Sequence, residues 1–226
     1  MTKVIAVVSG GMDSVTALWR IADTSDDMAN NVRMVSFNYG QKHVKELEMA
    51  AWHADHFGIQ HNIIDLTSIT ELLGSSSLVG EEEVPEGHYA SENMKSTVVP
   101  NRNMMMLSIA SAIAVNFNAQ FVLAGMHSGD HAIYPDCRPE FVDAFNKSLR
   151  TATEGYADPT LRVFTPYINV PKDEIVREGT RLKLPYEKTW SCYKGQANHC
   201  GLCGTCVERK EAFMLAGAHD PTVYDA

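Results

Sequence analysis

The run Val4-Ile5-Ala6-Val7-Val8-Ser9-Gly10-Gly11-Met12-Asp13-Ser14 decides how the rest of the chain is read. Its apolar beginning, Val4 to Val8, is mostly β-branched and too short for a helix, and predicts a buried parallel strand. Gly10 and Gly11 let the backbone turn tightly and approach a ligand where a Cβ would intrude. Asp13 and Ser14 suit the first turn of a helix, and Val15, Leu18 and Trp19 supply its apolar face. Strand, glycine turn and helix start present a nest of backbone N–H groups that favours an anion. Phosphate is the anion expected along Val8, Ser9, Gly10, Gly11, Met12, Asp13 and Ser14.

The spacing differs from the Walker loop, G-x-x-x-x-G-K-S/T, and from the G-x-G-x-x-G of dinucleotide folds. It resembles the SGGxDS loop of the PP-loop ATP pyrophosphatases, which bind the pyrophosphate of ATP and transfer its adenylyl group.

Further along, Val32 to Phe37 reads as a second buried strand, ending in the turn-like Asn38-Tyr39-Gly40-Gln41. Val44, Leu47, Ala51, Ala54 and Phe57 keep helical spacing over His43 to Phe57, with Gly58 as the stop. Gln60 to Leu66 gives a third strand. Residues 74–96 are polar, carry Glu81-Glu82-Glu83, and predict a long surface loop, either a lid or a mobile segment. Met104 to Phe117 predicts an apolar helix with methionines as core filler. Gln120 to Ala124 is a fourth strand ending at Gly125, and Glu140 to Thr151 and Lys172 to Leu182 are helices. This alternation predicts an α/β fold, a doubly wound, mostly parallel sheet covered on both faces. Ligands then belong at the carboxyl ends of the strands, where Ser9, Tyr39 and Gly125 fall.

With 226 residues, 45% of them apolar, the chain suits one large domain, residues 1–185, with a small appendage over 186–226. The net charge of −9 speaks against a broad nucleic-acid footprint. No charged-then-apolar leader and no long apolar span is visible, so a cytoplasmic protein without membrane insertion is expected.

The cysteines supply the second signal. Cys192, Cys200, Cys203 and Cys206 read C-x7-C-x2-C-x2-C, with Gly201 and Gly204 beside the last two knuckles. Clustered thiols in a cytoplasmic chain hold a metal more often than they form disulfides. Four thiolates suit a closed, structural tetrahedral Zn2+ site, and an iron–sulfur cluster is the competing reading. His199 is left out because adjacent ligands are strained. Cys137 reads as a small buried residue.

A PP-loop followed by this knuckle resembles one family, the 7-cyano-7-deazaguanine (preQ0) synthases. The resemblance runs nearly end to end, through Tyr39-Gly40-Gln41, Val99-Pro100-Asn101-Arg102-Asn103, Tyr134-Pro135-Asp136-Cys137-Arg138, Pro171-Lys172-Asp173-Glu174-Ile175, Thr189-Trp190-Ser191-Cys192-Tyr193 and Cys200 to Cys206, to Asp220-Pro221-Thr222. One departure is Ile133, where the family usually places glycine.

The resemblance implies conversion of 7-carboxy-7-deazaguanine, ammonia and ATP into the 7-cyano base through adenylated intermediates, toward queuosine and related deazapurines. Stopping at the 7-amido base is the nearest alternative. Others are a PP-loop enzyme adenylating a tRNA base and a non-catalytic nucleotide-binding module. Ser14 would contribute a hydroxyl to catalysis, Asp13 would hold Mg2+ or orient the loop, and Lys172 would meet phosphate. Arg102 would pair with the substrate carboxylate, a phosphate or a structural acid. Asp136 or Asp130 would accept from the N–H edge of the base, with an N-cap role open for Asp136. Tyr39, Gln41 and Arg138 complete the candidate pocket. No glutaminase arrangement is recognisable, so free ammonia is the expected nitrogen donor, and the resemblance suggests a homodimer.

Overall fold

The computed structural model describes residues 2–70 and 76–226. Its strands are β1 (Val4–Val7), β2 (Val32–Asn38), β3 (Gln60–Asp65), β4 (Phe121–Leu123) and β5 (Arg162–Phe164), joined in the order β3-β2-β1-β4-β5. Every neighbouring pair is parallel. The helices are α1 (Met12–Ala22), single-turn α2 (Met28–Asn31), α3 (Lys45–Phe57), short α4 (Thr67–Thr70), α5 (Arg102–Phe117), α6 (Pro139–Ala152), α7 (Lys172–Arg181) and α8 (Gly204–Ala216).

The strand period of two explains the layers. Val4, Ala6 and Val8 face a core shared with residues of α1, α3, α7 and α8, while Ile5 faces a second core with α5 and α6. β1 has a strand on each side, and Ile5 and Ala6 are fully buried, as its apolar run requires. The chain moves outward from β1 to β3, then crosses to β4. That reversal opens a crevice at the carboxyl ends of β1 and β4, the usual ligand position in such sheets.

The structure departs from the sequence reading at four places. β3 is the sheet edge, most of its side chains are exposed and Ile63 is half exposed, so both-face coverage ends before it. β5 was not anticipated because a strand of three residues shows no usable period. α8 was not anticipated either, although Cys206, Arg209, Ala212 and Phe213 lie buried at helical spacing and Gly217 closes it in the left-handed region. Met106 is core, whereas Met104 lies on the surface.

Of the predicted loop, residues 74 and 75 lie outside the described residues. The rest packs against the knuckle: Gly87 N donates to Leu202 O at 3.0 Å, and Lys194 pairs with Glu86 at 2.5 Å. Val84, Trp190 and the four knuckle cysteines form a buried cluster of their own. Arg209 is fully buried beneath it, paired with Asp220 and donating to Thr189 Oγ1 and Tyr186 O. Among the described residues, no helix is long and apolar enough to cross a membrane.

Candidate active site

The glycine turn is fixed from both sides. Gly10 sits at φ +97°, and a Cβ there would lie 1.8 Å from Glu46 O, so α3 can approach only because the residue is glycine. Trp190 N donates to Gly10 O at 2.9 Å and ties the knuckle segment to the same turn. Within the turn, Ser9 N donates to Ser14 Oγ at 3.2 Å, Gly11 N to Ser9 Oγ at 3.1 Å, and Ser14 Oγ to Gly11 O at 3.1 Å. α1 has no side-chain cap, so its first amides open into a cavity of about 260 Å3.

Four helix N-termini converge on that cavity. Its wall includes Met12, Asp13 and Ser14 of α1, Arg102 and Asn103 of α5, Lys172 of α7, and Gly204 and Thr205 of α8. Each carries roughly half a positive charge from its aligned peptides. Together they suit a polyanion better than one nest does.

Lys172 stands at one side of the cavity. Its Nζ lies 3.2 Å from Asp13 Oδ2 and 2.5 Å from Glu208 Oε2. Burial alone would lower its pKa, but Asp13, Glu208 and Asp130 outweigh that and hold the ammonium well above its ordinary range. His127 joins the same group. Gly129 N donates to its Nδ1 at 3.1 Å, leaving Nε2 facing Asp130 Oδ1 at 3.5 Å, Asp13 Oδ2 at 3.8 Å and Glu208 Oε1 at 3.9 Å. Sequence reasoning missed His127 and Glu208. No linear motif marks them; Glu208 reaches the cavity only because α8 runs out of the knuckle toward α7.

Three carboxylates against one lysine leave negative charge in excess beside the uncapped first amides of α1. A polyphosphate entering here needs a cation to offset it. Asp13 Oδ1 is buried with no hydrogen-bond partner, a vacant oxygen of the kind Mg2+ takes alongside phosphate. The residues therefore fit a divalent cation bound together with a polyphosphate.

Across the cavity, Arg102 Nη1 donates to Tyr39 Oη at 3.1 Å, and no carboxylate pairs with this guanidinium among the described residues. Tyr39 Oη lies 3.5 Å from His43 Nε2, which lies 3.5 Å from Glu46 Oε1. Burial pushes the Tyr39 hydroxyl up to about 12, the His43 imidazole down to about 3 and the Glu46 carboxyl up to about 8.

The predicted pocket residues divide. Tyr39, Arg102, Asp130 and Lys172 line the cavity, as does Ile133. Gln41 is buried outside its wall, bonding Phe37 O, Glu46 Oε1 and Tyr39 N, and so braces the turn that carries Tyr39. Asp136 Oδ2 accepts from Asn103 N at 2.9 Å, capping α5 rather than any helix of its own segment. Arg138 points away and donates to His131 O at 2.8 Å. Cys137 is buried in the cavity wall, with its thiol pushed above its usual range chiefly by burial.

Cys192, Cys200, Cys203 and Cys206 are buried and unbridged, with all four Sγ atoms within 4.8 Å of one another. Cys200 N donates to Cys192 Sγ at 3.3 Å and Cys203 N to Cys200 Sγ at 3.3 Å. The Cys200–Cys206 sulfur separation of 4.0 Å is close to the edge of a tetrahedron with metal–sulfur bonds of about 2.3 Å. The group fits one metal ion.

A parallel sheet with a glycine turn at its switch point, facing a lysine from the helix that follows the last strand, defines a PP-loop α/β protein. The chain belongs to the family described as queuosine biosynthesis protein QueC, whose profile matches residues 3–217. It is 52% identical to the 7-cyano-7-deazaguanine synthase of Sinorhizobium fredii and 51% identical to that of Rhizobium meliloti, each over 99% of this chain and 92% of the relative. Among solved structures it is similar to the U34-tRNA thiolase NcsA from Methanococcus maripaludis with its 4Fe-4S cluster. That match has 16% identity and a TM-score of 0.49, over 95% of this chain and 65% of the other. Neither activity nor metal follows from a likeness of that extent.

Proposed function

We propose that the protein converts 7-carboxy-7-deazaguanine, ammonia and ATP into 7-cyano-7-deazaguanine, releasing AMP and pyrophosphate. The observation that carries this reading is one cavity holding open α1 amides, Lys172 and the unpaired Arg102. A carboxylate is a poor electrophile and needs a leaving group. Its attack on the ATP α-phosphate gives an acyl-adenylate and pyrophosphate. Ammonia then displaces AMP to give the amide; adenylation of the amide oxygen and loss of a second AMP leave the nitrile. Charge develops on the departing pyrophosphate, so donors fixed beforehand supply most of the catalysis.

In this reading Val8 to Ser14 hold the triphosphate, with Ser14 shaping the loop and offering its hydroxyl. Lys172 meets the phosphates, and Arg102 takes the acceptor carboxylate, which its planar fork suits. Asp13 would be the first ligand of Mg2+, which offsets the charge of the phosphates. The four cysteines would hold structural Zn2+, since their close spacing suits one ion better than a cluster of several. The reading also takes residues 186–226 as a metal-bound subdomain on a 1–185 catalytic domain, in a cytoplasmic homodimer.

Mass spectrometry of a reaction containing protein, Mg2+-ATP, ammonium and 7-carboxy-7-deazaguanine tests it. Nitrile without added glutamine is expected. Amide alone would stop the sequence halfway, and no conversion would reject the acceptor.

A further inference from the structure

Resting on that reading, we propose that Glu46 reads the N–H donor edge of the deazaguanine acceptor, opposite the Arg102 that takes its carboxylate. Glu46 lies in the first turn of α3 and is 7% exposed. Its Oε1 accepts from Gln41 Nε2 at 3.0 Å and lies 3.5 Å from His43 Nε2. Its Oε2 has no partner among the described residues, and the side chain lines the cavity. A deeply buried carboxyl with one oxygen unbonded at a cavity wall, and no lysine or arginine beside it among the described residues, is costly to ionise unless a ligand brings donors.

The same cavity holds a second uncompensated group. Arg102 donates to Tyr39 Oη and, among the described residues, to no acid, and Tyr39 and His43 link it to Glu46. An acid and a guanidinium kept apart in one cavity match a ligand with an anion at one end and N–H donors at the other. A deazaguanine carboxylate is such a ligand, with its carboxylate at one end and its ring N–H and exocyclic amine at the other. Adenine has the amine but no anion on its ring. An ammonium ion would add positive charge beside an uncompensated guanidinium, so a neutral donor edge is favoured.

The surroundings agree. Tyr193 and His43, whose rings pack 5.1 Å apart at a 45° tilt, both line this cavity and give its wall an aromatic surface. The acids expected in this role are occupied elsewhere, Asp136 at the start of α5 and Asp130 beside His127.

The test uses the full-length, metal-bound protein, with KM measured separately for 7-carboxy-7-deazaguanine, ATP and ammonium. Glu46→Gln should raise the deazaguanine KM tenfold or more and leave the other two within twofold. 7-Carboxy-7-deazahypoxanthine, which lacks the exocyclic amine, should be a poor substrate for the wild type, with little further loss on going to Glu46→Gln. Glu46→Asp, which withdraws the acid by one methylene, should show the same pattern more weakly and serves if the glutamine variant folds poorly. A KM rise confined to ATP or to ammonium, or an amine penalty of the same size in the variant, would overturn the proposal. Failure of the wild type to convert the deazaguanine at all would instead reject the function above and take this role with it.

Discussion

Lys172 Nζ lies 2.5 Å from Glu208 Oε2, and Glu208 follows Cys206 by two positions on α8. The lysine that opens α7 is thus held by the helix that begins in the cysteine knuckle. The cavity and the metal site share one rigid element.

Removing either end of that pair should separate its parts. Lys172→Met is expected to lower kcat about a hundredfold or more, the scale of losing one donor to a developing anion. Glu208→Gln should lower it about tenfold, because Asp13 still holds the lysine. Steady-state kinetics with a metal assay checks both, and undiminished turnover in Lys172→Met would remove the lysine from the mechanism.

Metal loss should act on fold and activity together. Trp190 is hydrogen-bonded to Gly10 and α8 carries Glu208, so an emptied knuckle loosens both sides of the cavity. Cys203→Ser, or chelation, should lower Tm and turnover in parallel. A variant with unchanged Tm, no metal and no activity would show a direct chemical role for the metal instead.

Glycine positions should differ sharply. A Cβ on Gly125 would lie 2.6 Å from Ser14 Cα and N, so Gly125→Ala must displace the first turn of α1. A loss of about a hundredfold in activity is expected, with most of the fold retained. Gly58 is also left-handed, at φ +62°, but a Cβ there meets nothing. Gly58→Ala should cost about 1–2 kcal/mol in urea denaturation and spare kcat. Equal effects at both positions would refute the close approach.

Acid should weaken the fold through His53. Burial lowers its pKa to about 4 from 6.5; its Nδ1 accepts from Trp19 Nε1 at 3.1 Å, and Nε2 donates to Lys188 O at 2.9 Å. The folded-state pKa is depressed, so its contribution is present above about pH 6.5 and fades as pH falls toward 4. Urea titrations over that window should show a steeper loss for the wild type than for His53→Gln. Parallel curves would assign the acid sensitivity to other groups.

The legible parts were those written in contiguous residues. The glycine turn after an apolar strand, the helices with clear periods and the close cysteine spacing each rest on neighbours in the chain. Glu208 and His127 were not legible, because each is one polar residue with no local pattern and gains meaning only beside Lys172. Asp136 shows the reverse: its segment looks like a ligand motif, yet Asn103 of a different helix claims its oxygen.

Sequence alone determined the parallel α/β alternation, the glycine turn between β1 and α1, and the four-thiol group, because hydrophobic period, glycine freedom and ligand spacing act over short stretches of chain. Only the tertiary structure decided which charges meet. It set Lys172 between Asp13 and Glu208 and, among the described residues, left Arg102 without a carboxylate and Glu46 without a lysine or arginine. Ion pairing depends on a few ångströms between side chains remote in sequence, and that distance exists only once the helices have packed.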